Sequence, residues 1–84
     1  MMTGPEIVQR AKEQLAQLTG LTPDTVSSLS RDEGGWHVTV EMIETKRIPD
    51  IDDIVATYEG LLDNEGKLVR YQRTKRYVRS DVAG

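Results

Sequence analysis

The sequence predicts an α+β fold: one N-terminal helix packed on a three- to four-stranded antiparallel meander sheet. Three observations carry this prediction. Ile7, Val8, Ala11, Leu15 and Leu18 fall on one stripe at helical period. Trp36, Val38, Val40 and Met42 alternate with His37, Thr39, Glu41 and Ile43, which is the period of a half-buried strand. Two turn tetrads, Asp32-Glu33-Gly34-Gly35 and Asp63-Asn64-Glu65-Gly66, divide the strand-like runs at hairpin spacing. Because the strands follow a single helix instead of alternating with helices, the sheet is an antiparallel meander with the helix across one face.

The helix spans about residues 4–19. Thr3 and Glu6 have capping-box spacing, in which each side chain satisfies a free backbone N–H, and Gly20 supplies the stop. After a connection through Thr22, Pro23 and Asp24, the Ser-rich segment at about 26–31 reads as a short edge strand. The second strand covers about 36–45. Pro49 lacks a ladder donor, so a loop is placed at about 46–52. The third strand, about 53–62, sets Ile54, Ala56, Tyr58 and Leu62 on one face and Val55, Thr57, Glu59 and Leu61 on the other. The fourth, about 67–79, sets Val69, Tyr71, Arg73, Lys75 and Tyr77 against Leu68, Arg70, Gln72, Thr74, Arg76 and Val78. One bulge reverses that last assignment. Trp36, Val38, Val40, Ile54, Tyr58, Val69 and Tyr71 are expected to meet the helix stripe.

The 84 residues (1–84) make one domain with a thin core, since chains of this size bury only about 60–65 per cent of their unfolded surface. A composition of 37% hydrophobic and 30% charged residues lies in the globular range. Without cysteine there is no disulfide or thiolate metal site, and a reducing cytoplasm is the expected compartment. No apolar run reaches the roughly 18–20 residues that span a bilayer, and no signal-peptide pattern opens the chain, so no membrane partner is expected.

The formal net charge of -3 conceals a polar division. Lys67, Arg70, Arg73, Lys75, Arg76 and Arg79 hold six of the eleven basic residues, whereas thirteen of the fourteen acids precede them. Such separation marks either an interaction face or pairing of the two ends within the fold. A thirteen-residue strand is roughly 43 Å long and a sixteen-residue helix about 24 Å, so the helix leaves part of the basic strand uncovered. If Leu62 pairs with Lys67, Asp50, Asp52 and Asp53 neighbour Lys75, Arg76 and Arg79. That is the internal-pairing reading, in which Glu41 and Glu59 also help neutralise the strand. The docking reading offers Lys75–Arg79 to an acidic protein surface. Ile43, Val55, Leu61, Leu68 and Val78 are expected on the uncovered face, and a homodimer formed sheet to sheet would hide them.

No catalytic constellation is visible. The only histidine, His37, has no cysteine or serine elbow to activate, and it reads as a structural residue with a hydrogen-bond partner. The segment Asp50, Asp52, Asp53 lacks the central glycine and terminal glutamate of a calcium loop, and Gly34-Gly35 precedes a strand instead of a phosphate-binding helix. Tyr71, Arg73, Lys75, Arg76 and Tyr77 interleave aromatic and basic groups as single-strand binders do. A pI near 5.0 and the neighbouring acidic loop argue against nucleic acid. The residues thus predict a binding domain with no cofactor.

From Gly20 onward the order of residues resembles the gas vesicle accessory protein O family, GvpO. The blocks that carry the resemblance are Leu21-Thr22-Pro23-Asp24, Gly34-Gly35-Trp36, Arg47-Ile48-Pro49-Asp50, Ala56-Thr57-Tyr58-Glu59, the Asp63–Gly66 turn, Tyr71-Gln72-Arg73 and Arg76-Tyr77-Val78-Arg79. They cover about three quarters of the chain. The resemblance implies a non-enzymatic accessory role in assembling gas vesicles, through other gas vesicle proteins, shell and accessory, in the cytoplasm and at the vesicle. The candidate protein-binding residues are Arg47, Asp50, Glu59, Arg70, Arg73, Lys75, Arg76, Tyr77 and Arg79. Family members often carry a longer, charged N-terminal extension, whereas here the domain starts almost at once. Gly60 stands where similar sequences tend to have a branched residue, so looser packing is expected beneath Tyr58 and Leu62. The alternative reading is a small α+β ligand-binding or inhibitor-like module, because fold alone does not decide function.

Overall fold

The structure is a computed structural model describing residues 2–81. Its elements run in the order α1 (Gly4–Thr19), β1 (Thr22–Asp32), β2 (Gly35–Thr45), a 3-10 turn (Asp50–Asp52), β3 (Ile54–Leu62), β4 (Leu68–Val78) and a last 3-10 turn (Arg79–Asp81). The strands form one antiparallel sheet in sequence order, β1-β2-β3-β4. The α+β meander with its single N-terminal helix is thereby established.

Local chemistry accounts for the helix limits. The Glu6 N–H donates to Thr3 Oγ1, and Glu6 Oε1 accepts the Thr3 N–H at 2.8 Å, so two end donors are satisfied reciprocally. Gly20 adopts the left-handed conformation (φ 75°) and donates its N–H to Ala16 O. Ile7, Ala11 and Leu15 are fully buried against Val38, Val40, Met42 and Leu62. Leu18 departs from the predicted stripe. It lies beyond the part of the helix that crosses the sheet and is 58% exposed.

β1 is longer than its sequence signal, beginning at Thr22 instead of about residue 26. Backbone pairing with β2, from Thr22 opposite Ile43 to Asp32 opposite Gly35, supplies the order that its serines do not advertise. It takes two bulges to follow its partner, at Asp24 and Ser27.

The largest departure from expectation is β4. Leu62 pairs with Leu68 and not Lys67, and two irregularities follow, around Val69 and Thr74. Ile54 therefore faces Val78 where the simple ladder places Lys75. Each extra residue reverses the alternation, so Leu68, Arg76 and Val78 join the helix side while Lys75 and Tyr77 join the open side. Val69, expected in the core, sits at a bulge and is 60% exposed.

This reversal explains Gly60. The glycine is buried, and a Cβ added there meets Leu68 Cδ1 at 3.0 Å. Leu68 fills the space that a branched residue at position 60 would occupy, so the expected looseness is absent.

Candidate functional site

On the open face of the sheet, polar residues from all four strands lie side by side. The apolar content is smaller than the sequence suggested. Leu68 and Val78 point to the other side, Val55 is buried, and Ile43 and Leu61 are half-buried. Glu41 organises one end of the face. Its two carboxylate oxygens accept hydrogen bonds from Ser27 on β1, Thr57 on β3 and the Tyr77 hydroxyl on β4. Burial, with Glu41 beside it, pushes the Tyr77 phenol above its ordinary value of 10.0. Glu41 was expected to neutralise the basic strand, but it gathers hydroxyls instead.

Toward the hairpin end the same face is hollowed into a groove of about 380 Å³. His37, Thr39, Glu59, Leu61, Arg70 and Gln72 line it and leave it open along the sheet. His37 Nε2 lies 2.8 Å from Asp32 Oδ2 on the surface of the sheet, so the histidine has the partner expected of it. The Asp32 carboxyl is held below its ordinary 3.8 chiefly by the Gly34 N–H, with His37 adding to the effect against burial. A depression without an enclosed floor or a reactive pair offers contact more readily than catalysis.

The basic strand distributes its charges differently from either simple reading. Arg76 donates to Glu44 at 2.7 Å, and Arg73 lies 3.8 Å from the same carboxylate. Glu44, two residues beyond Met42, lies on the same side of the sheet as these two arginines. Both guanidinium groups remain about half exposed, and such pairs contribute only about 0–1 kcal/mol each. Lys75 projects over the Tyr77 ring at 5.5 Å. Of the three aspartates expected beside Lys75, Arg76 and Arg79, only Asp53 makes such a pair among the described residues, and its partner is Arg79. Asp50 and Asp52 lie in the 3-10 turn before β3, outside the ladder and without an ion pair among the described residues.

Asp53 is the residue whose role the sequence concealed. Its carboxylate is inaccessible to solvent and accepts the Arg47 N–H at 2.8 Å, Lys46 Nζ at 3.1 Å and Arg79 Nη2 at 3.4 Å. Arg79 also holds Asp24 Oδ2 at 3.1 Å, tying the end of β4 to the start of β1. The Arg47 N–H is the principal cause that keeps the Asp53 carboxyl below its ordinary 3.8, against the opposing effect of burial, with Lys46 and Arg79 assisting. Nothing in hydrophobic periodicity marks such a hub. The one available signal is an aspartate directly before the first apolar residue of a strand.

The candidate residues therefore separate into two groups. Glu59 and Arg70 line the groove, and Arg73, Lys75 and Arg76 are exposed along the edge strand, Lys75 on the open side and the two arginines on the helix side. Tyr77 and Arg79 are engaged within the fold. Arg47 and Asp50 occupy the β2–β3 loop, where the Arg47 N–H shares the Asp53 carboxylate with Arg79. Among the described residues no three of His, Asp and Glu gather as a metal-binding group, and no helix is long and apolar enough to cross a membrane.

Comparison with known proteins bears on what this surface serves. A family model described as "Gas vesicle synthesis protein GvpO" matches residues 2–83. Gas vesicle protein O of Streptomyces sp. (strain CB03234) is 44% identical over 73 residues, covering 87% of this chain and 57% of that protein. Gas vesicle protein O1 of Halobacterium salinarum is 39% identical over 57 residues, 68% of this chain and 47% of that protein. Gas vesicle protein O of Haloferax mediterranei is 32% identical over 74 residues, 87% of this chain and 53% of that protein. The chain thus spans about half the length of these relatives. No solved structure matches it. With the family model covering nearly every residue from the capped helix to the basic edge strand, the chain belongs to the gas vesicle synthesis protein GvpO family.

Proposed function

We propose that this protein serves gas vesicle formation as a non-enzymatic adaptor in the cytoplasm, binding other gas vesicle proteins, shell or accessory, through its open sheet face and basic edge. One observation carries the reading. Arg73, Lys75 and Arg76 stand exposed along an edge strand, Lys75 on the open side with the groove residues Arg70 and Glu59 and the two arginines on the helix side, and their internal pairs are too weak to commit them. A partner with acidic groups can take over these cations at little loss and gain specificity and encounter rate from them. Family membership supports the vesicle context.

A second reading, a small-ligand module, draws on the groove itself. Its openness along the sheet makes it a poor enclosure, because ligand sites bury most of a small molecule. A sheet-to-sheet homodimer has less to hide than the sequence implied, since of Ile43, Val55, Leu61, Leu68 and Val78 the open face keeps Ile43 and Leu61 as partly exposed apolar groups.

Affinity capture from cells that express the vesicle genes tests the proposal. Wild type is expected to retain gas vesicle proteins, and Arg73→Glu/Lys75→Glu/Arg76→Glu to lose them. Arg79 is left intact because its reversal would break internal pairs. Equal capture by wild type and the triple variant would reject the basic edge as the contact.

A further inference from the structure

We infer that the β2–β3 loop, Lys46–Asp53, is a preformed docking knob whose Ile48 and Ile51 enter an apolar socket rimmed by lysine or arginine on another protein. The inference rests on the adaptor reading but places a contact on residues outside the groove and beyond the C-terminal end of the basic edge strand. Ile48 is fully exposed and Ile51 is 55% exposed, whereas Ile7 is buried and Ile43 and Ile54 are half-buried. Two large aliphatic side chains three residues apart at the tip of one loop are a concentrated apolar surface on a domain whose open face is otherwise polar.

The loop is held at its base. Asp53 clasps Lys46 and the Arg47 N–H on one side, while Arg79 fixes Asp53 from the other, donating its backbone N–H to Asp53 O at 2.8 Å. Between these anchors the 3-10 turn adds Asp52 N–H to Pro49 O and Asp53 N–H to Asp50 O, both at 3.0 Å. Only Ile48 to Asp52 lies between the clasped ends. A segment already tied in this way loses little conformational freedom on binding, which is the condition under which a small apolar anchor gives useful affinity.

Charge specifies the socket. Asp50 and Asp52 flank Ile51, and neither makes an ion pair among the described residues. Lys46 is drawn to Asp53, which leaves Arg47 as the one cation of the tip. The tip is therefore apolar with an acidic border, and a complementary rim is basic. The sheet groove of a second copy of this chain is a poor socket, because Leu61 stands there among mostly polar walls.

A photo-crosslinking residue at position 48 of the full chain, in cells expressing the vesicle genes and lacking the native copy, tests this directly. The expected adduct joins another gas vesicle protein within an apolar segment bordered by Lys or Arg. Ile48→Ser/Ile51→Ser is expected to lower capture of that protein by about tenfold or more with an unchanged melting temperature, and Asp50→Lys/Asp52→Lys to lower it in a salt-dependent way. Wild-type capture that both variants retain would overturn the knob and leave the adaptor reading standing. Failure of wild type to capture any gas vesicle protein would overturn both. Adducts with a second copy of this chain, or with lipid, would reassign the loop to self-association or to a membrane surface and so reject the proposal.

Discussion

Arg79 reaches back across 26 residues of chain to the buried carboxylate of Asp53, and the same guanidinium holds Asp24 at the start of β1. Through this pair the last strand, the first strand and the β2–β3 loop share one electrostatic junction. The sheet is closed at that end by polar contacts and not by the helix.

Replacing Asp53 tests the junction. Asp53→Asn keeps the size but removes the charge, so the variant is expected to melt below wild type near neutral pH. The folded pKa of Asp53 lies below its ordinary 3.8, so its stabilisation is complete above that value and is lost as pH falls through the folded value. Melting curves from about pH 6 down to about pH 2.5 should show the two proteins converging in acid. A constant difference across that range would show that the charge on Asp53 is not what stabilises the fold.

Gln14 joins the helix to the β3–β4 turn. Its amide donates to Gly66 O at 2.8 Å and accepts the Leu68 N–H at 2.9 Å. Gln14→Ala leaves a backbone acceptor and a backbone donor unpaired in a half-buried place, a loss of about 1–3 kcal/mol. Denaturant unfolding measures it directly, and a change below about 0.5 kcal/mol would show that water replaces the side chain.

Two leucines on the same helix should respond differently. Leu15→Ala removes a fully buried side chain and is expected to destabilise by about 2–5 kcal/mol. Leu18→Ala, at a site 58% exposed, should fall within about 0.5 kcal/mol of wild type. Similar effects at both positions would mean that α1 packs differently on the sheet.

Gly60 and Leu68 form a size-matched pair across β3 and β4. Gly60→Val alone overpacks against Leu68 and is expected to destabilise by about 1–3 kcal/mol. Combined with Leu68→Ala, the valine occupies the space vacated, and a double-mutant cycle should return a favourable coupling of about 0.5–3 kcal/mol. Strict additivity would show that the two side chains do not share that space.

The sequence alone determined those parts whose signal is local. Thr3 and Glu6 opened the helix, Gly20 closed it, and the two turn tetrads placed the hairpins within a residue of their observed positions. The period-two run from Trp36 to Ile43 identified both faces of β2, because an apolar residue at every second position leaves one arrangement that buries them. The family was legible for a related reason, since short blocks such as Arg47-Ile48-Pro49-Asp50 are read in order without knowing what they touch.

Tertiary structure alone decided the register of β4, the side on which its charges lie and the partners of Asp53. From Arg70 to Arg76 both alternating sets of residues are polar or amphipathic, so a one-residue bulge at Val69 or Thr74 leaves no mark in the pattern. Only pairing with β3 fixes which residue faces which. The Asp53 junction is equally invisible along the chain, because its contacts come from the neighbouring loop and from a strand end 26 residues away. An ion pair is selected by where the backbone brings two charges together, and the order of residues states their signs without stating that distance.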